Sequence, residues 1–318
     1  MNMPIIRVED EGGVRRVHVL APQHGHFRFT DFESAWPADL LEALADLKGA
    51  WFCDSYARFE HPDYLGKQID QILDFYGIVL PGLRILDFGC GFGASSYRLV
   101  ARGATDIVAT DLVAGNVAFA RRLFSRLGLD DRVDLRREDL VPTLEPASFD
   151  LVWLQAVVEH LLPEERRAYL RQFWRALRPG GWLVVTETPN RVWPYETHTS
   201  GGRWLLPWMP AARIFATMRR EERFAAYTDE AFYRSGIVGS TYGELLDCLG
   251  RPADCEEPAR ALRRYVARLY EGARVKTAAR RAAVSALGLL EPAVRGLTRR
   301  PVMAFTPYLN HVAFRKAR

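Results

Sequence analysis

The chain has 318 residues, 48% hydrophobic and 26% charged, with a net charge of +4, a balance that suits a folded globular chain and excludes a disordered or fibrous one. Cys53, Cys90, Cys248 and Cys255 show no C-x-x-C spacing, which excludes a disulfide framework or a cysteine zinc knuckle as the basis of the fold and favours a reducing compartment. No window reaches about 18 uncharged apolar residues, and MNMPIIRVEDEGG lacks the regions of a leader, so a cytoplasmic protein, at most peripheral to a membrane, is expected.

Residues 1–80 read as an N-terminal cap region. Residues 14–20 (VRRVHVL) and 26–29 (HFRF) are expected to pair as a small hairpin, with helices over 39–48 and 64–76; His18, His24 and His26 read as exposed hairpin histidines. Short apolar or β-branched runs follow at 84–88, 106–111, 132–137, 149–154 and 182–186. Between them, residues 94–102, 113–127 and 164–177 carry apolar side chains at helical spacing, the last ending before Pro179-Gly180-Gly181. Strands alternating with helices imply an α/β fold, a mostly parallel sheet with helices on both faces. A Trp, Pro and Gly rich stretch over 189–210 suits a lid loop, the lid extending to 240, with helices expected over 211–226 and 241–249. Residues 253–256 read as a short strand, 258–300 as a basic helical insertion, and 302–305 with 311–315 as the last strand or hairpin of the core, within 301–318. From Arg260 onward, fourteen Arg and Lys face only Glu271 and Glu291, a balance of +12 that leaves −8 on the first 259 residues. Such a segment is expected to meet an anionic lipid surface or RNA, or to form a solvated helix face.

Residues 85–93 read ILDFGCGFG, a strand running into three glycines and then a helix. Glycines there let the backbone approach a ligand, and the helix start offers free N–H groups. Gly89, Gly91 and Ala94 formally satisfy a dinucleotide fingerprint. The acids separate the readings: Asp87 is misplaced beside a pyrophosphate but suits an ammonium and a sulfonium, Asp111 can accept from ribose hydroxyls, and Asp139 can accept from an adenine amino group. The constellation favours an adenosyl amino acid.

With these motifs the chain resembles the class I S-adenosylmethionine-dependent methyltransferases over roughly residues 80–190, where ILDFGCGFG, VATDL (108–112), REDL (137–140), FDLVWLQAVVEHL (149–161) and LRPGGWLVVTETPN (177–190) stand in family order. The resemblance implies a Rossmann-like seven-stranded sheet with its last strand antiparallel, the methyltransferase core spanning 81–257. It also implies that Asp87, Gly89, Gly91, Asp111, Leu112, Asp139, Leu140 and Gln155 line a pocket for S-adenosylmethionine, with S-adenosylhomocysteine as product. Cys90 reads as a small packing residue of the turn.

Methyl transfer from a sulfonium needs nucleophile, methyl carbon and sulfur in line, and a hydroxyl acceptor must lose its proton. Glu159-His160 follows the fourth core strand, and His198 lies in the aromatic loop after the fifth. This pairing is similar to the ubiquinone-biosynthesis O-methyltransferases and the small-RNA 2′-O-methyltransferases, whose resemblance implies a divalent metal held by such residues together with a carboxylate three positions before the glutamate. Ala156 stands at that position here, so no metal is assigned. His198, His160 and Glu159 are the catalytic candidates, Glu159 and His160 having a structural reading as well. Trp193, Tyr195, Trp204 and Trp208 around His198 suit a small aromatic or apolar acceptor, or packing of the lid. The expected function is therefore O-methylation of such an acceptor with histidine assistance. The alternatives are RNA or sugar 2′-O-methylation, N- or carboxyl methylation, and a cofactor-binding scaffold. Only Tyr265 and Tyr270 stand among the tail's arginines as stacking aromatics for RNA.

Overall fold

The computed structural model describes residues 5–11, 13–61, 64–138, 141–257, 289, 292–294 and 296–318. Its first elements are strands β1 (Ile6–Glu11), β2 (Val14–Val19) and β3 (Asp31–Ser34), then helices α1 (Ala38–Lys48), α2 (Phe52–Glu60) and α3 (Leu65–Tyr76). The alternating part follows as β4 (Arg84–Phe88), α4 (Ala94–Ala101), β5 (Asp106–Thr110), α5 (Ala114–Arg126), β6 (Val133–Arg136), β7 (Phe149–Gln155), α6 (Pro163–Ala176) and β8 (Leu177–Thr186). Next come the short β9 (Thr188–Pro189), β10 (Tyr195–Glu196) and β11 (Arg203–Trp204), helices α7 (Ala211–Met218), α8 (Asp229–Arg234) and α9 (Tyr242–Leu249), and β12 (Cys255–Glu256). The two-residue β13 (Tyr308–Leu309) and β14 (Val312–Lys316) end the series.

Seven strands form one mostly parallel sheet in the order β12-β14-β8-β7-β4-β5-β6, with β14 antiparallel to β8 and β12 antiparallel to β14. The chain divides into two compact units, 1–83 with 90–139 and 84–89 with 140–318. In the first, β1, β2 and β3 form an antiparallel meander. Helix α1 starts after Pro37 and buries Leu40, Leu41, Leu44 and Ala45, the three- and four-residue spacing of one helical face. Asp39 at its start pairs with Arg126 and Arg122 of α5, and these guanidiniums hold its carboxyl at about 2, below the ordinary carboxylate range.

In the second unit β4, β7 and β8 run parallel, and Leu151, Val152, Trp153, Leu154, Leu183, Val184 and Val185 have no exposed surface. Such continuous apolar runs are what strands covered on both faces require. The stretch after β8 builds a core of its own from Leu206, Ile214, Phe215, Met218, Phe224, Phe232, Ile237 and Val238, with the rings of Phe215 and Phe232 stacked at 5.0 Å.

Several expectations are corrected. The partners of residues 14–19 are β1 and β3; residues 26–29 form no strand, because the N–H groups of His26 and Phe27 are taken by the Asp54 carboxylate. Strand β8 begins at Leu177 rather than 182, since buried Leu177 pairs with Phe149 and a register shift absorbs the Pro-Gly-Gly turn. The helix expected over 211–226 stops at Met218, and a separate turn, Glu222–Phe224, carries Phe224 into the lid core. Residues 302–305 form a 3₁₀ turn, and β13 beyond it pairs with β9. The basic insertion over 258–300 lies, apart from residues 289, 292–294 and 296–300, outside the described residues. Among the described residues no helix is long and apolar enough to cross a membrane.

Candidate active site

Strand β4 ends with Asp87 buried, and the chain then turns through the glycines. Gly89 adopts φ +73°, and a β-carbon there would stand 2.6 Å from a methyl of Val157, so any other residue would be strained and would displace Val157. A β-carbon on Gly91, at φ +56°, would meet nothing within 4 Å, so the turn is open on that side. The Gly91 N–H donates to one carboxylate oxygen of Asp111 at 3.0 Å and the Val113 N–H to the other at 2.8 Å. Each oxygen has one further lone pair with which to accept. Leu112 is two-thirds exposed beside it. Gln155, at the end of β7, accepts from the Trp153 indole and donates to Glu187. Asp139 and Leu140 lie outside the described residues.

Beyond β7 the chain passes through Ala156 at φ +52° into the turn Val158–His160. A left-handed alanine is strained, the kind of cost that persists only where the surroundings impose it. The turn swings Glu159 fully inside, where one oxygen accepts from the Thr188 hydroxyl at 2.9 Å and the other, Oε1, has no hydrogen-bond partner. Burial pushes this carboxyl up to about 8, so it is mostly protonated at neutral pH. His160 places Nδ1 2.6 Å from the Arg234 carbonyl. A carbonyl can only accept, so Nδ1 carries the proton and Nε2, 3.8 Å from Glu159 Oε1, presents a lone pair.

His198 reaches the same place from the loop between β10 and β11. Buried Glu196 accepts the N–H groups of Thr199 and Ser200, and the Thr199 hydroxyl donates to the Ser235 carbonyl, which pins the loop on either side. The imidazoles of His160 and His198 stand 5.7 Å apart, and one ligand atom from each of Glu159, His160 and His198 lies within 4.8 Å of the others. Desolvation lowers the pKa of both histidines; His198 keeps an exposed edge, yet the protein crowded around it still disfavours its charged form. The structure thus brings these three candidates together.

Three residues with no motif to announce them support this arrangement. Arg166 of α6, 2% exposed, donates to the carbonyls of Val158, Leu161 and Gly239 and to the Glu244 carboxylate at 2.7 Å, so one guanidinium joins the Glu159 turn to the end of the lid. Arg234 pairs with Glu165 through both of its terminal nitrogens and also donates to the His160 carbonyl. Gly236 sits against the cluster: a β-carbon there would stand 3.0 Å from Glu159 Cγ and from His198 Nε2. The i, i+3 spacing of Thr241 and Glu244 marks the start of α9, but nothing along the chain shows that Glu244 turns to Arg166.

Residues 86–185 match a family model described as a methyltransferase domain. Relatives include the ubiquinone biosynthesis O-methyltransferases of Cereibacter sphaeroides, 34% identical over 46% of this chain and 60% of that one, and of Methylocella silvestris, 32% identical over 50% and 62%. The chain thus spans about 60% of the length of these two relatives. A putative sarcosine dimethylglycine methyltransferase from Galdieria sulphuraria is similar in structure with a TM-score of 0.48, at 14% identity over 88% of this chain and 98% of that one. The glycine turn, the strand order and the family match define residues 86–185 as a methyltransferase domain of the class I S-adenosylmethionine-dependent type.

Two outcomes follow from this packing. Replacing Arg166 by Met leaves three carbonyls and a carboxylate without their donor and is expected to cost about 3–5 kcal/mol in urea unfolding, whereas a surface Arg such as Arg213 changed to Met costs little. Glu159 binds a proton in the folded chain, with a pKa of about 8, that the unfolded chain releases near its ordinary value of 4.5. Stability of the metal-free protein therefore falls as pH rises through that window. Glu159→Gln should remove this slope, gaining on the parent by roughly 2–4 kcal/mol between pH 5 and pH 8.5 in urea unfolding with a chelator present.

Proposed function

We propose that the chain moves a methyl group from S-adenosylmethionine to an oxygen of a small aromatic or apolar acceptor, with His198 taking the acceptor's proton. The observation that carries this reading is the convergence of Glu159, His160 and His198 under Gly236. Both imidazoles are held toward their neutral forms, as a base needs at neutral pH. His198 is the base because its edge is exposed, whereas the free Nε2 of His160 stands 3.8 Å from the buried Glu159 Oε1. In the transfer, the acceptor oxygen attacks the methyl carbon, the carbon–sulfur bond breaks to leave S-adenosylhomocysteine, and the hydroxyl proton passes to His198. Asp87, Gly89, Gly91, Asp111, Leu112, Asp139, Leu140 and Gln155 are proposed to bind the cofactor, Asp111 accepting from the ribose hydroxyls with the capacity its two backbone bonds leave.

A divalent cation is a second reading, supported by the same cluster and by the unpartnered Glu159 oxygen. Two imidazoles and one carboxylate suit zinc better than magnesium, which prefers oxygen donors. The fit is loose: zinc bonds of about 2.0–2.1 Å put tetrahedral ligands roughly 3.4 Å apart, against a spread reaching toward 4.8 Å here. Glu159, His160 and His198 would have to close together to hold the ion, which would then polarise the acceptor hydroxyl.

The test is methyl transfer to a panel of phenols and catechols, followed as S-adenosylhomocysteine formed. His198→Ala is expected to lower kcat about 10²- to 10⁴-fold with cofactor affinity unchanged, and the parent's activity should fall on the acid side with a midpoint below the ordinary histidine value of 6.5. Full turnover by His198→Ala overturns the base, and activity abolished by EDTA and restored by zinc replaces it with the cation.

A further inference from the structure

Glu187 is a carboxylate that belongs neither to the core nor to the cluster of Glu159, His160 and His198. It is the single residue between β8 and β9, partly buried itself, with Thr186 and Thr188 fully buried on either side. Its backbone stands at φ +61°, in the left-handed region, where its N–H donates to the Asn310 side chain at 3.0 Å. Glycine adopts that conformation freely, whereas a glutamate is strained in it, and strain of this kind gathers where function needs the side chain. Among the described residues no cation pairs with Glu187, and its carboxylate accepts from the Gln155 amide at 3.1 Å.

The place of that contact points to what the carboxylate meets. The sheet order β8-β7-β4-β5-β6 reverses between β7 and β4, and open α/β sheets take their ligands over the strand ends at such a reversal. Asp87 pairs with Trp153, so Gln155, two residues on, stands level with Gly89 at the reversal. S-adenosylmethionine carries two cations, an ammonium and a sulfonium, and S-adenosylhomocysteine keeps only the first. Asp87, buried at the end of β4, is one carboxylate for two cations, and Glu187, one side chain beyond Gln155, is the second. Burial keeps the neighbouring Glu159 carboxyl mostly protonated, which leaves Glu187 to meet a cation on this side.

We infer that Glu187 recognises the sulfonium of S-adenosylmethionine and so makes the site prefer cofactor over product. The inference rests on the reading of Asp87 and Gln155 as part of the cofactor pocket, and is independent of which acceptor is methylated. The charge on sulfur is greatest before the methyl leaves. A fixed carboxylate facing it therefore favours bound S-adenosylmethionine over S-adenosylhomocysteine and does not speed the transfer itself. Such a strained glutamate serves exchange of product for fresh cofactor.

The experiment is isothermal titration calorimetry of the full chain, without acceptor, using three ligands. These are S-adenosylmethionine, S-adenosylhomocysteine and sinefungin, an analogue with an amine-bearing carbon in place of the methylated sulfur. Glu187→Gln keeps an oxygen for the Gln155 amide and removes only the charge. It is expected to weaken S-adenosylmethionine and sinefungin roughly tenfold, and S-adenosylhomocysteine by less than about twofold. Glu187→Gly, whose backbone suits the conformation, should show the same selective loss. Retained S-adenosylhomocysteine binding shows that both variants are folded. Asp87→Asn tests the pocket separately and should weaken all three ligands. Equal loss of all three with Glu187→Gln, or no loss, overturns the inference even where Asp87→Asn behaves as expected. An Asp87→Asn protein that binds all three like the parent removes the pocket and the inference with it.

Discussion

Three backbone carbonyls and one carboxylate converge on the guanidinium of Arg166, and the geometry of the candidate site depends on that convergence. A cation taken out of water is costly unless its donors are matched, and here two carbonyls of the turn after β7 and two groups at the end of the lid and the start of α9 match them. Val158 and Leu161 flank the Glu159-His160 pair, Gly239 ends the lid, and Glu244 stands in the first turn of α9. The Ser240 hydroxyl adds a bond to the other oxygen of Glu244. A helix inside the fold thereby dictates where the turn after β7 runs and where the lid returns to it.

Within that frame the three titratable groups are held toward their uncharged forms. Glu159 is sealed from water with a single hydroxyl donor, His160 gives its Nδ1 proton to a carbonyl, and His198 is desolvated by the crowded lid. Three such groups within 4.8 Å of one another would repel or attract strongly if charged. Kept neutral, they can sit close together and exchange protons with an acceptor at modest cost. Gly236 has no side chain because the lid must come within contact distance of all three.

Much of the alternating fold was legible along the chain. β4 falls on the residues its apolar run marks, and α5 and α6 lie within a residue of the spans their spacing gives, since apolar periodicity is a local property. Where partners decide, the reading failed. Leu177 begins a strand because Phe149 lies beside it, although Pro179-Gly180-Gly181 reads as a turn. Helix α2, with aromatic and small residues buried on most of its surface, offers no single apolar stripe to detect. The site divides in the same way. Glu159, His160 and His198 stand out by side-chain chemistry, whereas Arg166, Arg234 and Gly236 matter through contacts with residues 70 or more positions away or through close approach. The lid's three tryptophans, Trp193, Trp204 and Trp208, suit a pocket wall or packing onto the core by sequence, and all three are exposed.

The turn after β7 and the lid together hold two imidazoles toward their neutral forms beside a buried, mostly protonated carboxyl. Nitrogen-detected NMR of the histidine side chains across pH 5–8, in metal-free protein, tests this arrangement. His160 is expected to carry its proton on Nδ1 at neutral pH, and His160 and His198 both to titrate below the ordinary 6.5. A midpoint above 6.5 for either ring, or a His160 proton on Nε2, would show that the site is not built this way.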